Sequence, residues 1–161
     1  MRHYVLLSIV GVGAGLQGGG YLRGKVLQEM TVAASGVPYT IVRATQFHEL
    51  TELITAALIV DGTVHAPDAL IQPIAADDVA TEVADVATGT PVNGVRNIAG
   101  PEPMAFAAMA KLVLAQQGTD IPVLTDPTAA YFGVPVQRSS MVPGPDGQLS
   151  ATSLAEWLAK R

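Results

Sequence analysis

Apolar positions in this chain come in short runs and helical stripes separated by glycine and proline, and the alternation predicts strands and helices in turn. Val5 to Val10 is apolar except for Ser8, the pattern of a strand buried on both faces. After a glycine-rich stretch, Gly11 to Gly20, apolar residues at Leu22, Val26, Leu27, Met30, Ala33 and Ala34 form the stripe of a helix over Tyr21 to Ser35, which Gly36 and Pro38 end. Tyr39 to Arg43 is a second strand, completing a strand, helix, strand unit of the kind that favours a parallel sheet and a right-handed crossover. An apolar helix follows through Leu50, Leu53, Ile54, Ala57 and Leu58, then a turn at Asp61-Gly62 and an extended piece over Ile71 to Ile74.

Ala76 opens another helix, with Val79, Val83, Val86 and Ala87 inward, and Asp77 and Asp78 at its start read as capping and dipole-matching residues. Gly94 to Ala99 is a third strand, Met104 to Gln117 a strongly apolar helix, and Ile121 to Leu124 a further short strand. Residues 126–161 form a loop-rich closing segment that ends in a small helix, where Ser153 and Glu156 suit a capping box and Trp157 docks on the body. Met104 and Met109 read as packing residues, and His48 as a partly buried histidine at a helix start.

Composition narrows the class. With 161 residues the chain supports one domain with a real core. Hydrophobic residues reach 49% and mean hydropathy is +0.36, which points to a sheet covered on both faces. No apolar run approaches the ~18–20 residues of a membrane span, so no membrane is expected as partner. The net charge of −5, with scattered lysines and arginines, argues against nucleic acid. Zero cysteines exclude a thiolate metal site or a disulfide framework, and His3, His48 and His65 are too dispersed for a zinc motif, so no metal is expected. A cytoplasmic setting fits this composition.

The candidate chemistry lies in the first strand, loop and helix. Ser8 stands near the end of the strand, Tyr21 follows 13 residues later, and Lys25 lies four positions beyond Tyr21. Residues i and i+4 share a helix face, so the Lys25 ammonium can lie beside the Tyr21 phenol and favour its ionised form for proton transfer. Three other readings of the stretch stand beside this one. Tyr-x-x-x-Lys occurs by chance in many helices. Gly13-Ala-Gly15-Leu-Gln-Gly18 fits the G-x-G-x-x-G dinucleotide pattern, though the strand Tyr39 to Arg43 ends without the acidic residue that takes a ribose hydroxyl. Arg2 before an apolar run has the outline of a secretory signal, but lacks a cleavage site of small residues. Ser8 and the stretch from Thr45 to His48 both fall just beyond strand ends, where open α/β sheets collect ligands.

Six segments in order, LLSIVG (6–11), YLRGK (21–25), GVPYTIVRATQF (36–47), QPIAADDVA (72–80), NIAGPE (97–102) and SLAEWLA (153–159), resemble the carboxyl-terminal half of an atypical short-chain dehydrogenase/reductase of the NmrA-like kind. The resemblance implies an α/β fold: part of a doubly wound, Rossmann-like parallel sheet with flanking helices, its amino-terminal strands missing, and residues 1–161 as a single domain. It implies an NAD(P)-dependent oxidoreductase acting on a small-molecule carbonyl, with NAD or NADP as cofactor. Ser8, Tyr21 and Lys25 take the family's catalytic positions, where the serine orients the carbonyl, the tyrosine exchanges the proton, and the lysine lowers the tyrosine pKa and touches the nicotinamide ribose. Tyr21, Lys25, Thr45, Gln46 and Phe47 are the implied cofactor contacts. Asp78 matches a family position better explained by capping, and the glycines at 13 to 18 are not where the family seats its phosphates. Members of this group include regulators that bind nucleotide without turnover, so a non-catalytic nucleotide-sensing or protein-interaction module is the alternative. Without the preceding strands, the first strand would present an apolar edge and invite self-association.

Overall fold

The computed structural model describes residues 1–161. Its central sheet has four parallel strands in the order β1 (Tyr4–Ile9), β2 (Tyr39–Ala44), β6 (Gly94–Ala99) and β9 (Gln148–Leu149). The register sets Ser8 opposite Arg43, and Val42 opposite Leu7 on one side and Arg96 on the other. Because side chains alternate across a strand, Ser8 and Arg43 share one face, which α1 (Gly20–Ala34) covers, as the Arg43–Glu29 ion pair shows. Val42, Ala44 and Ile98 point the other way and pack with Val79 and Val86 of α3 (Ala76–Thr88). Helices thus cover both faces of a parallel sheet, the expected α/β arrangement.

A second, larger apolar cluster lies beyond the sheet. There α2 (Thr51–Ala57), reached through a 3-10 turn at His48–Leu50, packs with α4 (Phe106–Gln116) and α5 (Leu154–Leu158) around Ile54, Phe106, Met109, Val113 and Leu154. A three-stranded sheet flanks it, with β3 (Ile59–Val60) antiparallel to β4 (Thr63–Pro67) and β4 parallel to β8 (Val123–Asp126). A two-stranded ladder, β5 (Leu70–Ile71) with β7 (Met104–Ala105), completes the elements. None of the helices is long and apolar enough to cross a membrane.

Several expectations are corrected here. β1 is not buried on both faces: Leu6 and Ser8 are buried, while Tyr4 and Leu7 are substantially exposed, because β1 is the edge of its sheet and has β2 on one side only. Of the stripe read for α1, Leu27 and Met30 point to solvent, being 63% and 62% exposed. The start of α3 is not capped by an aspartate side chain; its N-cap is Ala75, and the Glu49 carboxylate accepts from the Ala76 N–H at 3.2 Å. Met104 begins a strand rather than a helix. The Ser153–Glu156 capping box is present as read, and Gly94–Ala99 is a strand with the bounds read from sequence.

Candidate functional site

A cleft of about 580 Å³ opens at the carboxyl ends of β1 and β2, beside the first turns of α1. Ser8, Tyr21, Lys25, Thr45, Gln46 and Phe47 all line it, so the structure brings together every residue singled out from sequence as catalytic or cofactor-binding. Two of them stand one helical turn apart on α1, one comes from β1, and three from the turn after β2.

Local structure fixes each of them. Lys25 Nζ donates to the Leu7 carbonyl at 3.0 Å, which holds the ammonium along the outer side of β1. The main chain from Thr45 to His48 is pinned through Thr45 N–H to Ile98 O at 3.1 Å, Ile74 N–H to Gln46 O at 2.9 Å and His48 N–H to Ile74 O at 2.8 Å. This leaves side chains free to face the cleft. Ser8 and Thr45 are almost wholly buried; Thr45 Oγ1 and Gln46 Oε1 are inaccessible and without a hydrogen-bond partner in the protein, while the equally inaccessible Ser8 Oγ is turned toward Glu29. Buried polar atoms without partners are uncommon and each calls for a reason. Here they lie directly behind the cleft wall that their residues line.

Behind Ser8 lies a charged pair. Glu29, four residues after Lys25, is buried and grips Arg43 with both carboxylate oxygens, the Nε to Oε1 contact being 2.9 Å. Burial pushes the Glu29 carboxyl up, but the Arg43 and Ser8 hydrogen-bonding groups, together with the charges of Arg43 and Lys25, outweigh it and hold the pKa below its ordinary value. Tyr21, Lys25 and Glu29 therefore form a stripe of phenol, ammonium and carboxylate along one side of α1.

The glycine loop does not form a phosphate cradle. A Cβ on Gly11 would lie 2.0 Å from the Ser140 carbonyl oxygen, and one on Gly15 would lie 2.8 Å from Ser140 Cα. These glycines admit the backbone around Ser140, which closes the loop from outside, so the G-x-G-x-x-G reading of Gly13 to Gly18 is set aside. Of this loop, Leu16 and Gly18 to Gly20 line the cleft.

Asp78 is elsewhere. It lines a smaller depression with Thr152, Trp157 and Arg161, outside the cleft. His48 is fully buried nearby, its Nε2 at 3.0 Å from the Thr152 carbonyl and its ring 5.7 Å from that of Trp157. Desolvation lowers its pKa, against the raising effects of that hydrogen bond and of Glu49 and Asp78.

Sequence reasoning missed the opposite wall of the cleft, made by Tyr131, Phe132 and Val134. Their signal was an aromatic pair followed by glycine, Tyr131-Phe132-Gly133, within a segment that read only as irregular.

No protein-family model matches the chain, and no curated protein matches it in sequence. Solved structures do. An NADPH-dependent quinone oxidoreductase from Escherichia coli superposes with a TM-score of 0.75 at 16% identity, over 99% of this chain and 67% of that one. The fold is Rossmann-like. A dTDP-4-dehydrorhamnose reductase from Bacillus anthracis, solved with NADP, matches at TM-score 0.65 and 18% identity over 97% of this chain and 63% of that one. The enzyme WbmF from Bordetella bronchiseptica, solved with NAD+, gives 0.63 and 18% over 99% and 57%. The chain thus carries the Rossmann-like fold over nearly its whole length while spanning about three fifths to two thirds of these enzymes. Its cleft lies at the carboxyl ends of parallel strands, where Rossmann-like sheets bind ligands.

Proposed function

We propose that this chain is an NAD(P)-binding, reductase-like protein of the NmrA-like group, which reduces a small carbonyl compound in the cleft between β1, β2 and α1. The observation that carries the reading is the meeting of Ser8, Tyr21, Lys25, Thr45, Gln46 and Phe47 on one cleft at the carboxyl ends of β1 and β2. Those residues, with an ammonium one helical turn from the phenol, fit the nicotinamide and ribose end of the cofactor. Tyr21 and Lys25 would hold the ribose side; Thr45, Gln46 and Phe47 would lie beside the nicotinamide.

NAD(P)H, when bound, supplies the hydride that the carbonyl carbon receives. Tyr21 donates the phenolic proton to the carbonyl oxygen, so that the product is an alcohol and the cofactor leaves oxidised. Ser8 donates a hydrogen bond to the same oxygen and holds the carbonyl in line. Lys25 places a positive charge beside the phenol and favours the phenolate left behind. Apolar side chains, among them Leu7, Ile9, Leu16 and Leu22, line the cleft around these groups.

The alternative, a nucleotide-sensing module without turnover, draws on the NmrA-like group itself, whose members include regulators that bind nucleotide without reacting it. Calorimetric titration with NADPH and NADH, paired with Tyr21→Phe, separates the two readings. The reductase reading requires binding that survives the substitution and carbonyl turnover that does not. Binding with no turnover in the unsubstituted chain supports the sensor, and no binding of either nucleotide refutes both.

A further inference from the structure

The wall facing Tyr21 is a two-residue hairpin. Tyr131 and Val134 exchange both main-chain hydrogen bonds, each 2.9 Å, and the turn between them has Phe132 at φ 46° and Gly133 at φ 76°. Two successive positive φ values are the signature of a type I′ turn, whose first central position favours Asn, Asp or Gly. A phenylalanine there is strained, since its Cβ crowds the following carbonyl in the left-handed region. The ring does not relieve that strain by burial, being 52% exposed, and it lies on the cleft. It is set edge-on to Tyr131, with centroids 4.9 Å apart, and Tyr131 is in turn braced by Phe106 at 6.2 Å from the core. A rigid ring thus backs an exposed one. The backbone pays in strain to hold an aromatic face where a ligand can meet it, as strained positions at functional sites do.

The chemistry around the cleft selects among ligands. Its ionisable groups are Lys25 and two phenols, Tyr21 and Tyr131; no arginine and no carboxylate lines it. Burial and the neighbouring Tyr21 charge push Tyr131 up to about 12, so that second phenol stays neutral. Around the hairpin the walls are apolar, with Leu16, Leu22, Leu50, Phe132 and Val134, and suit a ring.

We infer that the Tyr131–Val134 hairpin is the acceptor-recognition element of the cleft, and that the acceptor is a flat, conjugated or aromatic carbonyl compound packed against the exposed ring of Phe132. The inference rests on the reductase reading and names the substrate class for that site. Phe132 is a specificity-determining residue; it takes no part in proton transfer.

Strain and recognition make Phe132→Asn move two readouts in opposite directions. Asparagine suits the positive φ, so the melting temperature rises, by about 2–4 °C for a chain of this size. Loss of the ring weakens binding of menadione, a flat quinone, by about 3- to 10-fold, the range of an aromatic contact. Phe132→Trp keeps a ring and restores menadione binding. Menadione affinity unchanged in Phe132→Asn, or a melting temperature that falls, would overturn the assignment. NADPH affinity, measured separately on the same proteins, keeps the two claims apart. NADPH binding with menadione indifferent to Phe132 removes the hairpin assignment alone; ring-dependent menadione binding without NADPH binding removes the reductase reading.

Discussion

The ammonium of Lys25 donates to the carbonyl of Leu7 at 3.0 Å, tying the second turn of α1 to the strand that carries Ser8. Tyr4 N–H bonds Pro38 O and Val10 N–H bonds Ala44 O, so even-numbered residues of β1 face β2 and the odd-numbered ones, Leu7 among them, face outward. Lys25 therefore satisfies one acceptor on a strand edge that no other strand covers, and holds its charge on the cleft wall beside Ser8. Function and edge protection meet in one side chain.

Tyr21→Phe removes one hydroxyl from an exposed position and should leave folding unchanged. We expect carbonyl reduction to fall by about 10²- to 10⁴-fold, the contribution of a positioned acid–base group, with nucleotide affinity close to that of the unsubstituted chain. Steady-state rates beside a nucleotide titration check it.

Glu29→Gln leaves Arg43 without its counter-ion at a largely buried site. We expect a loss of about 1–2 kcal/mol, below the range for a fully buried pair because the Arg43 side chain keeps contact with water, measured by urea unfolding at pH 7. The pKa of Glu29 is held below its ordinary 4.5, so its share of stability is present above that pH and disappears as pH falls through the lower folded-state value. The Gln variant should lose that part of the acid dependence.

His48 has a lowered folded-state pKa, so the unfolded chain takes up its proton first and stability declines as pH drops below about 6.5. Its ring lies beside that of the single tryptophan, Trp157. Unfolding followed by Trp157 emission should show lower stability at pH 5.5 than at pH 7.5, and His48→Gln should flatten that difference.

Glycines of this chain serve opposite ends. Gly24 lies in α1 with nothing near the position of an added Cβ, so Gly24→Ala should stabilise by up to ~1 kcal/mol. Gly15→Ala places its Cβ against the Ser140 backbone and should destabilise by about 1–3 kcal/mol. Thermal melts of the pair give shifts of opposite sign.

The outer edge of β1, with Leu27 and Met30 exposed on α1 beside it, predicts self-association. Val5→Pro removes an outward N–H and spares the ladder to β2. Sedimentation velocity should show concentration-dependent association that this substitution reduces.

Legibility followed the range of the interactions. The parallel strands, the helices between them and the Ser153–Glu156 box follow from local pattern, as do the Tyr21–Lys25 spacing and the strand-end places of Ser8 and Thr45 to His48; the narrower set of cofactor contacts came from the family resemblance, and His48 lies off the cleft. What was hidden depends on distant partners. Gly11 and Gly15 looked like a nucleotide loop because their reason for being glycine is the Ser140 backbone, far along the chain. Leu27 and Met30 matched a helical stripe, yet helix periodicity does not say which side the sheet will take. Asp61-Gly62 read as a turn, while the strands it joins, β3 and β4, are too short and irregular to announce themselves. Phe132 was hidden because its φ is not a property its residue type suggests.

The most direct test of the central claim is calorimetric titration of NADPH and NADH into the chain and into Lys25→Met. We predict saturable binding of at least one nucleotide, weakened about 10-fold or more by loss of the charged donor. No binding of either nucleotide, or an affinity that Lys25→Met leaves unchanged, would contradict the account.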